Sequence, residues 1–88
     1  MDFYKIIVAP KAMKDLKPFP QRIVQAIWES IKSLQNNPRP INCKKLKGTN
    51  AEEYRLRVKD NYRVLYQIDD EAKQIHILRI FDRKDAYR

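Results

Sequence analysis

Glycine, cysteine and histidine are nearly absent from this chain of 88 residues, which contains only one of each. With Gly48 as its single glycine, the chain lacks the glycine-rich loops that cradle phosphate groups in nucleotide-binding proteins. Cys43 has no second cysteine for an intramolecular disulfide, and with His76 it offers only two soft ligands, too few for a structural zinc site. We therefore expect neither a cofactor nor a bound metal.

Long apolar runs are also missing. No segment approaches the ~18 consecutive apolar residues of a membrane-spanning helix. The first residues, MDFYKIIVAP, lack the basic and long apolar regions of a signal peptide. We therefore expect a cytoplasmic protein with no membrane partner. Because 43% of the residues are hydrophobic, one modest core is expected, and we predict a single domain over residues 1–88.

Positive charge, in contrast, is abundant. The chain has 19 Lys and Arg against 11 Asp and Glu, which gives a net charge of +8. Between Lys44 and Arg63, seven basic residues accompany only three acidic ones. Excess charge keeps many small proteins soluble, but its concentration in one segment favours an anionic partner, either nucleic acid or an acidic protein.

Hydrophobic periodicity predicts an α+β domain with the order β-α-α-β-β-β, in which two helices cover one face of a small antiparallel sheet. A strand is predicted over residues 3–9. Helices are predicted over residues 11–16 and 21–35, with these apolar residues on their inner sides: Ala12, Met13, Leu16, Ile23, Ile27, Ile31 and Leu34.

The second half of the chain is predicted to begin with a basic loop over residues 38–51. Strands are expected over residues 53–59, 62–68 and 73–81. Asp60-Asn61 suits the turn between the first two, because both residues tolerate the positive φ of tight hairpins. An N-terminal strand often pairs with the far strand of such a meander.

The stretch EYRLRVK places two kinds of side chain on opposite faces of one strand. Alternation directs them to the two sides as follows: Tyr54, Leu56 and Val58 to one, and Arg55, Arg57 and Lys59 to the other. Arg63 lies just beyond the turn, opposite this row. Guanidinium groups bind phosphate in a bidentate manner, and neighbouring like charges are unfavourable unless a ligand neutralises them. The row therefore indicates a polyanion-binding surface, with an ordinary solvated sheet face as the alternative.

Two segments, LKGTNAEEYRLRVKDNYRVLYQID and ILRIFDRKDAYR, resemble the RelE/ParE superfamily of toxins from type II toxin–antitoxin systems, and more specifically its RelE branch. The resemblance covers nearly the whole chain. It implies a metal-independent endoribonuclease, an mRNA interferase that cuts mRNA in the ribosomal A site when a 2′-hydroxyl attacks the adjacent phosphate. The fold also hosts gyrase-directed toxins, so a non-catalytic toxin of that kind and a plain RNA- or ribosome-binding module stay open as alternatives.

The same resemblance implies site residues and partners. The catalytic residues it points to are Arg55, Arg57, Arg63, Arg83 and Tyr87. The lysines expected to contact RNA are Lys44, Lys45, Lys47, Lys59 and Lys84. The implied partners are mRNA, the rRNA of the A site and an acidic cognate antitoxin. Operator DNA is expected to be bound only through the antitoxin complex.

Two departures from the family pattern bear on the chemistry. Arg55 and Arg57 stand where some family members have lysines, and arginine is a poor general base because it keeps its proton. Phe81-Asp82 stands before Arg83 where many relatives have Gly-His, which removes a side chain suited to proton transfer near neutral pH. The proton acceptor stays open among Tyr87, Lys59, Lys84 and Asp82, and an altered or degraded activity is a further alternative.

Overall fold

The residues that the structure describes form one sheet and three helices, two of which cover one face of the sheet. The computed structural model describes residues 3–47 and 52–86. Its elements are, in chain order, β1 (Lys5–Val8), α1 (Pro10–Asp15), α2 (Gln21–Ser33), β2 (Cys43–Lys45), β3 (Glu53–Val58), β4 (Tyr62–Asp69), β5 (Gln74–Asp82) and α3 (Arg83–Ala86). The predicted α+β class is confirmed, with two helices between an N-terminal strand and a three-stranded meander. The short helix α3 lies where the sequence predicts a polar tail.

The sheet has five strands in the order β1-β5-β4-β3-β2 and is mixed rather than purely antiparallel. As expected, β1 lies beside the far strand of the meander, but it runs parallel to β5, with Lys5 opposite Gln74 and Val8 opposite Ile77. No hairpin joins these two strands. Parallel neighbours need a long crossover, and the helices and the meander together supply one.

A short edge strand, β2, replaces part of the predicted basic loop. Cys43, Lys44 and Lys45 pair antiparallel with β3, opposite Leu56, Arg55 and Tyr54 respectively. Lysine has a low strand propensity, so pairing with β3 and not local preference forms this strand. Lysines also suit an edge position, where they discourage further strand addition.

The hairpin between β3 and β4 differs from the prediction in one residue. β3 ends at Val58, which pairs with Tyr62, so the turn contains Lys59 as well as Asp60 and Asn61. The positive φ expected at Asp60-Asn61 falls instead on Lys59, at 51°. The predicted two-residue turn is therefore wrong, because the pairing of Val58 with Tyr62 leaves three residues to close the hairpin.

The core lies between the helices and one face of the sheet. The predicted stripe of α2 is buried as expected: Ile23, Ile27, Ile31 and Leu34. Met13, predicted to face inward, is 49% exposed, because the inward positions are taken by Ala12 of the short α1 and by Leu16, which follows the helix as its C-cap. No helix in the described part of the chain is long and apolar enough to cross a membrane.

Candidate functional site

Four cationic side chains meet on the sheet face that the helices leave open. Because alternate residues of β3 are buried against the helices, Arg55 and Arg57 project from the opposite face. The register places Lys44 of β2 opposite Arg55, and Arg63 of β4 opposite Arg57. Two like-charged cross-strand pairs therefore lie next to each other.

The surface around these four residues forms a depression of about 390 Å³, which we call the basic depression. Its lining consists of Ile41, Asn42, Cys43, Lys44, Arg55, Arg57 and Arg63. Lys44 and Arg57 are exposed, whereas Arg55 and Arg63 are half-buried. An anion that enters the basic depression therefore meets cations from three adjacent strands.

Two of the guanidinium groups have distinct local environments. Nη1 of Arg63 donates to the carbonyl oxygens of Asp60, at 3.2 Å, and Tyr62, at 3.0 Å, which orient the side chain next to the hairpin turn. Nε of Arg55 is buried and has no hydrogen-bond partner within the described chain. A buried donor without an acceptor is unfavourable, so the Arg55 guanidinium has capacity for an acceptor that residues 3–47 and 52–86 do not supply.

None of the four cations takes part in an ion pair with any residue that the structure describes. The ion pairs in this part of the chain use Arg39, Lys45 and Arg79 instead. Like charges on adjacent strands repel each other, and this repulsion falls when an anion binds between them. An anion bound in the basic depression would therefore relieve repulsion among its four cations.

The predicted RNA-binding lysines of β2 separate onto two faces. Lys44 lines the basic depression, but Lys45 lies opposite the buried Tyr54 and its Nζ is 3.0 Å from Oε1 of Glu52. Hydrogen bonds to the Glu52 carboxylate, that of Lys45 foremost, lower the pKa of Glu52 to about 2. Lys47 is exposed.

Arg83 lies near the basic depression but not in it. Its backbone N–H donates to the carbonyl oxygen of Asn61 in the β3–β4 turn. Together with Asn61, Asp82 and Lys84 it lines a neighbouring depression of about 430 Å³. Oδ1 of Asp82 accepts a hydrogen bond of 3.0 Å from the backbone N–H of Lys84. Lys59 is exposed in the same turn, and the predicted catalytic Tyr87 lies outside the described residues.

The open face is basic over only part of its length. Lys59, predicted to extend the cationic row, leaves the strand for the turn, and the row begins with an acidic residue, Glu53. Glu53 accepts a hydrogen bond of 2.8 Å from Nε2 of Gln67 on β4. Beyond them lies a depression of about 350 Å³, lined by Glu52, Gln67, Ile68, Asp69, Asp70, Glu71 and His76. The sheet therefore carries opposite charges towards its two ends.

Sequence reasoning singled out neither Ile41 nor Asn42, both of which line the basic depression. Nδ2 of Asn42 donates to the carbonyl oxygen of Arg57 at 2.7 Å, and the Arg57 N–H donates to the Asn42 carbonyl oxygen at 3.0 Å. The sequence did not indicate these two residues, because residues 38–51 have the composition of a loop. The pairing of β2 with β3 brings Ile41 and Asn42 to the basic depression.

The residue types of the basic depression suit the binding of phosphate. The described residues contain no group of three or more His, Cys, Asp or Glu side chains that would hold a metal ion. Guanidinium groups keep their charge at neutral pH and bind phosphate oxygens in a planar fork. Several of them at fixed positions can hold a phosphodiester and stabilise negative charge that develops on it.

Comparison with known proteins gives one consistent family. Residues 6–87 match the family model described as ParE toxin of type II toxin–antitoxin system, parDE. The chain is 35% identical to Toxin RelG of Mycobacterium tuberculosis over 86 residues, which cover 97% of each chain. It is 32% identical over 88 residues to Putative toxin RelE1 of Methanocaldococcus jannaschii, with 97% of this chain and 96% of the relative covered.

Solved structures agree with this result. The toxin–antitoxin complex RelBE2 from M. tuberculosis contains a chain that superposes with a TM-score of 0.81 at 33% identity, with 94% of each chain covered. In the archaeal RelE–RelB complex from Pyrococcus horikoshii, a chain superposes with a TM-score of 0.80 at 30% identity, with 94% of this chain and 97% of that chain covered. Both neighbours are structures of complexes.

Proposed function

Because the chain belongs to the RelE/ParE superfamily of type II toxin–antitoxin toxins, as a RelE-type member, we propose that it is a ribosome-dependent mRNA endonuclease. It would act in the cytoplasm, enter the ribosomal A site and cut the message there, which stops translation. The observation that carries this proposal is the basic depression, where four cations from three strands lack any acidic partner in the described chain.

The proposed reaction is an internal phosphoryl transfer that needs no metal. The 2′-oxygen of one nucleotide attacks the adjacent phosphorus and loses its proton to a base. The bond from phosphorus to the 5′-oxygen of the next nucleotide breaks, and that oxygen takes up a proton. The products are a 2′,3′-cyclic phosphate and a 5′-hydroxyl. Negative charge grows on the two non-bridging oxygens during the attack, so fixed cations beside them lower the barrier.

We assign the cations as follows. Arg63 and Arg83 bind the scissile phosphate, with Arg55 and Arg57 beside them. Arg63 is supported by its carbonyl contacts and by its position opposite Arg57. Arg83 would reach the same phosphate from the neighbouring depression at the hairpin turn. The exposed side chains that would contact the RNA backbone further along are Lys44, Lys47, Lys59 and Lys84.

The proton acceptor is proposed among the residues nearest this end of the sheet. Tyr87 is the candidate that the family pattern favours, and Lys59, Lys84 and Asp82 are the alternatives. Oδ1 of Asp82 accepts a backbone hydrogen bond, which leaves Oδ2 for a further contact. A pH–rate profile of each single variant distinguishes these candidates, because the loss of the base removes one limb of the profile.

We also propose an antitoxin partner, because both solved relatives at 30% identity or more described above are toxin–antitoxin complexes. The antitoxin should be acidic where it meets the basic depression and should fold as it binds. Operator DNA would be bound only by the complex, which would repress its own promoter.

The decisive experiment is cleavage of A-site mRNA on programmed ribosomes. Arg63→Ala should lower the single-turnover rate about 10²- to 10³-fold, the usual effect of removing one donor to a developing oxyanion. Arg22→Ala is the matched control, because Arg22 is an exposed cation of α2 outside both the basic depression and the neighbouring depression at Arg83. An intact message with the wild-type protein, or equal losses in the two variants, would refute the proposal.

A gyrase-directed toxin is the second candidate, since the matching family model is described by ParE. In that case the basic depression would contact protein, and cells producing the toxin would accumulate double-strand DNA breaks while their messages stay intact. A third reading, ribosome or RNA binding without cleavage, predicts occupancy with steep salt dependence but no cut product.

A further inference from the structure

Ile41 is an exposed apolar residue in a mainly cationic site. Its side chain has a relative exposure of 104%, the largest of the exposed large hydrophobic residues in the described chain, and it lines the basic depression. Single exposed apolar residues are common and need no explanation by themselves. The position of Ile41 is unusual because its neighbours in the lining are Asn42, Cys43, Lys44 and three arginines.

The segment that carries Ile41 is anchored on both sides. Before it, the buried Tyr66 donates its hydroxyl to the carbonyl oxygen of Pro38 at 2.7 Å. After it, Asn42 makes two hydrogen bonds to the backbone of Arg57. The Cys43 N–H also closes the turn onto the Pro40 carbonyl oxygen at 3.1 Å. Ile41 is therefore held at a defined place beside Arg57 and does not sit on a free loop.

A nucleotide offers the two kinds of surface that this arrangement matches. Its phosphate needs cations, and its base, once unstacked from its neighbours, needs an apolar or aromatic contact. Isoleucine is one of the side chains that proteins place against or between bases. A protein partner matches less well, because the fully buried centre of a protein interface is depleted in charged residues, whereas four of the seven residues in this lining are cationic.

We propose that Ile41 packs against a base of the RNA whose phosphate occupies the basic depression, and so contributes to which nucleotide is accepted there. This inference rests on the proposed function, since it takes the bound polyanion to be single-stranded RNA. Asn42 is a positioning residue in this arrangement, because it fixes the turn against Arg57 without contacting the base.

The test measures the affinity of the protein for ribosomes programmed with a message whose A-site codon carries 2′-deoxyribose, which prevents cleavage. Ile41→Ala should bind about tenfold more weakly, the lower part of the range for losing one contact to a base. The same measurement is repeated with messages that lack one base of the codon. At the contacted position, wild type and Ile41→Ala should bind equally weakly.

Three controls test whether the weaker binding arises from the loss of apolar contact at position 41. Ile41→Leu should keep near-wild-type affinity, because it preserves apolar contact. Met13→Ala removes a different exposed apolar side chain, on α1 and outside the basic depression, and should change nothing. Thermal unfolding should be the same for all variants, since Ile41 has no part in the core.

The outcomes separate this inference from the proposed function. If wild type cuts ribosomal mRNA and Ile41→Ala binds as wild type does, the base contact is wrong while the endonuclease proposal stands, and Ile41 is left for a protein partner. An equal loss on intact and base-free messages also overturns the inference. If the base-dependent loss is found but no message is ever cut, the inference stands and the endonuclease proposal fails. Absence of ribosome binding by wild type refutes both.

Discussion

Two groups of basic residues in this molecule differ in their surroundings. Arg39 binds Asp70 through Nη2 at 2.8 Å and Glu52 at 3.3 Å, and its Nε donates to the Tyr54 hydroxyl at 2.9 Å. We call Arg39 and these partners the Arg39 network. The four cations of the basic depression have no acidic partner in the described chain. The comparison separates an arginine whose charge is neutralised within the fold from four cations whose charge is not neutralised by any described residue.

The Arg39 network joins segments that are distant in the chain. Asp70, in the β4–β5 turn, also accepts a hydrogen bond of 2.6 Å from the hydroxyl of Tyr4, next to β1. Glu52 lies just before β3 and pairs with Lys45 of β2. Hydrogen bonds from Arg39 first, and then Tyr4, lower the pKa of Asp70. Through Tyr4 beside β1 and Lys45 of β2, the Arg39 network therefore connects both edges of the sheet to the meander. Its opposite charges neutralise each other.

The largest difference between the two groups is expected in stability. Arg39→Ala should lower the free energy of unfolding by about 1 kcal/mol, a value kept small because the side chain is 39% exposed to screening solvent. Arg63→Ala should change the free energy of unfolding by less, because the relief of repulsion from Arg57 offsets the loss of its two hydrogen bonds to backbone carbonyl oxygens. Urea denaturation of the two variants measures both effects.

A fall in stability for Arg63→Ala as large as that for Arg39→Ala would contradict this comparison, since it would give both groups the same structural role. Cleavage rates measured per folded molecule provide the complementary control. They should be close to wild type for Arg39→Ala, whose side chain lies outside the basic depression.

The next effect is on the salt dependence of binding. If Arg57 neutralises one RNA phosphate, Arg57→Gln should reduce the slope of log K against log [salt] by about 0.7, the value for one contact to a single strand. Lys45→Gln also removes one positive charge, but from a side chain that is already paired with Glu52. This variant should leave the slope nearly unchanged. Binding to single-stranded RNA between low and moderate salt gives both slopes.

An equal reduction in the two variants would show that Lys45 leaves Glu52 to contact RNA, as the family resemblance implies. In that case the separation of the two β2 lysines seen in the free protein would not persist in the complex.

The smallest effect concerns acid stability. The folded-state pKa of Glu52 is about 2, below its ordinary value of 4.5, so the folded state favours the ionised carboxylate. Its contribution to stability is complete above about pH 4.5 and is lost as the pH falls to about 2. Glu52→Gln should therefore flatten the fall in stability over this interval, as followed by urea unfolding at several pH values.

Glu53→Gln is the control for this measurement, because Glu53 contacts the neutral Gln67 instead of a cation. If it flattens the profile as much as Glu52→Gln does, then the acid sensitivity does not arise from the Arg39 network.

Local patterns in the sequence were sufficient to predict which faces of β3 and α2 are buried. The alternation along β3 gives the buried and exposed faces, and the spacing of Ile23, Ile27 and Ile31 gives the buried face of α2. In both cases one residue's environment follows from its neighbours along the chain. This is why Arg55 and Arg57 lie together on the open face, as predicted. Arg63 lies opposite Arg57 because the three-residue turn pairs Val58 with Tyr62, a register that the local pattern did not give.

Features that depend on pairing between distant segments were not accessible in this way. The strand β2 exists through its register with β3, and that register sends Lys44 to one face and Lys45 to the other. Arg39 gave no signal because its partners lie 13 to 31 residues away. The environment of Ile41 likewise depends on long-range contacts, those of Pro38 with Tyr66 and of Asn42 with Arg57.

The opposite charges at the two ends of the open face have a consequence for how this protein approaches its partner. The cations of the basic depression at one end, and Glu53, Asp69 and Glu71 at the other, form no ion pair with the described residues, so they give the domain an electric dipole along the sheet. In the field of a large polyanion such a dipole experiences a torque at distances comparable to the Debye length, about 8 Å in physiological salt. We therefore expect the domain to rotate before contact, so that its β3–β4 hairpin leads and a larger share of encounters becomes productive.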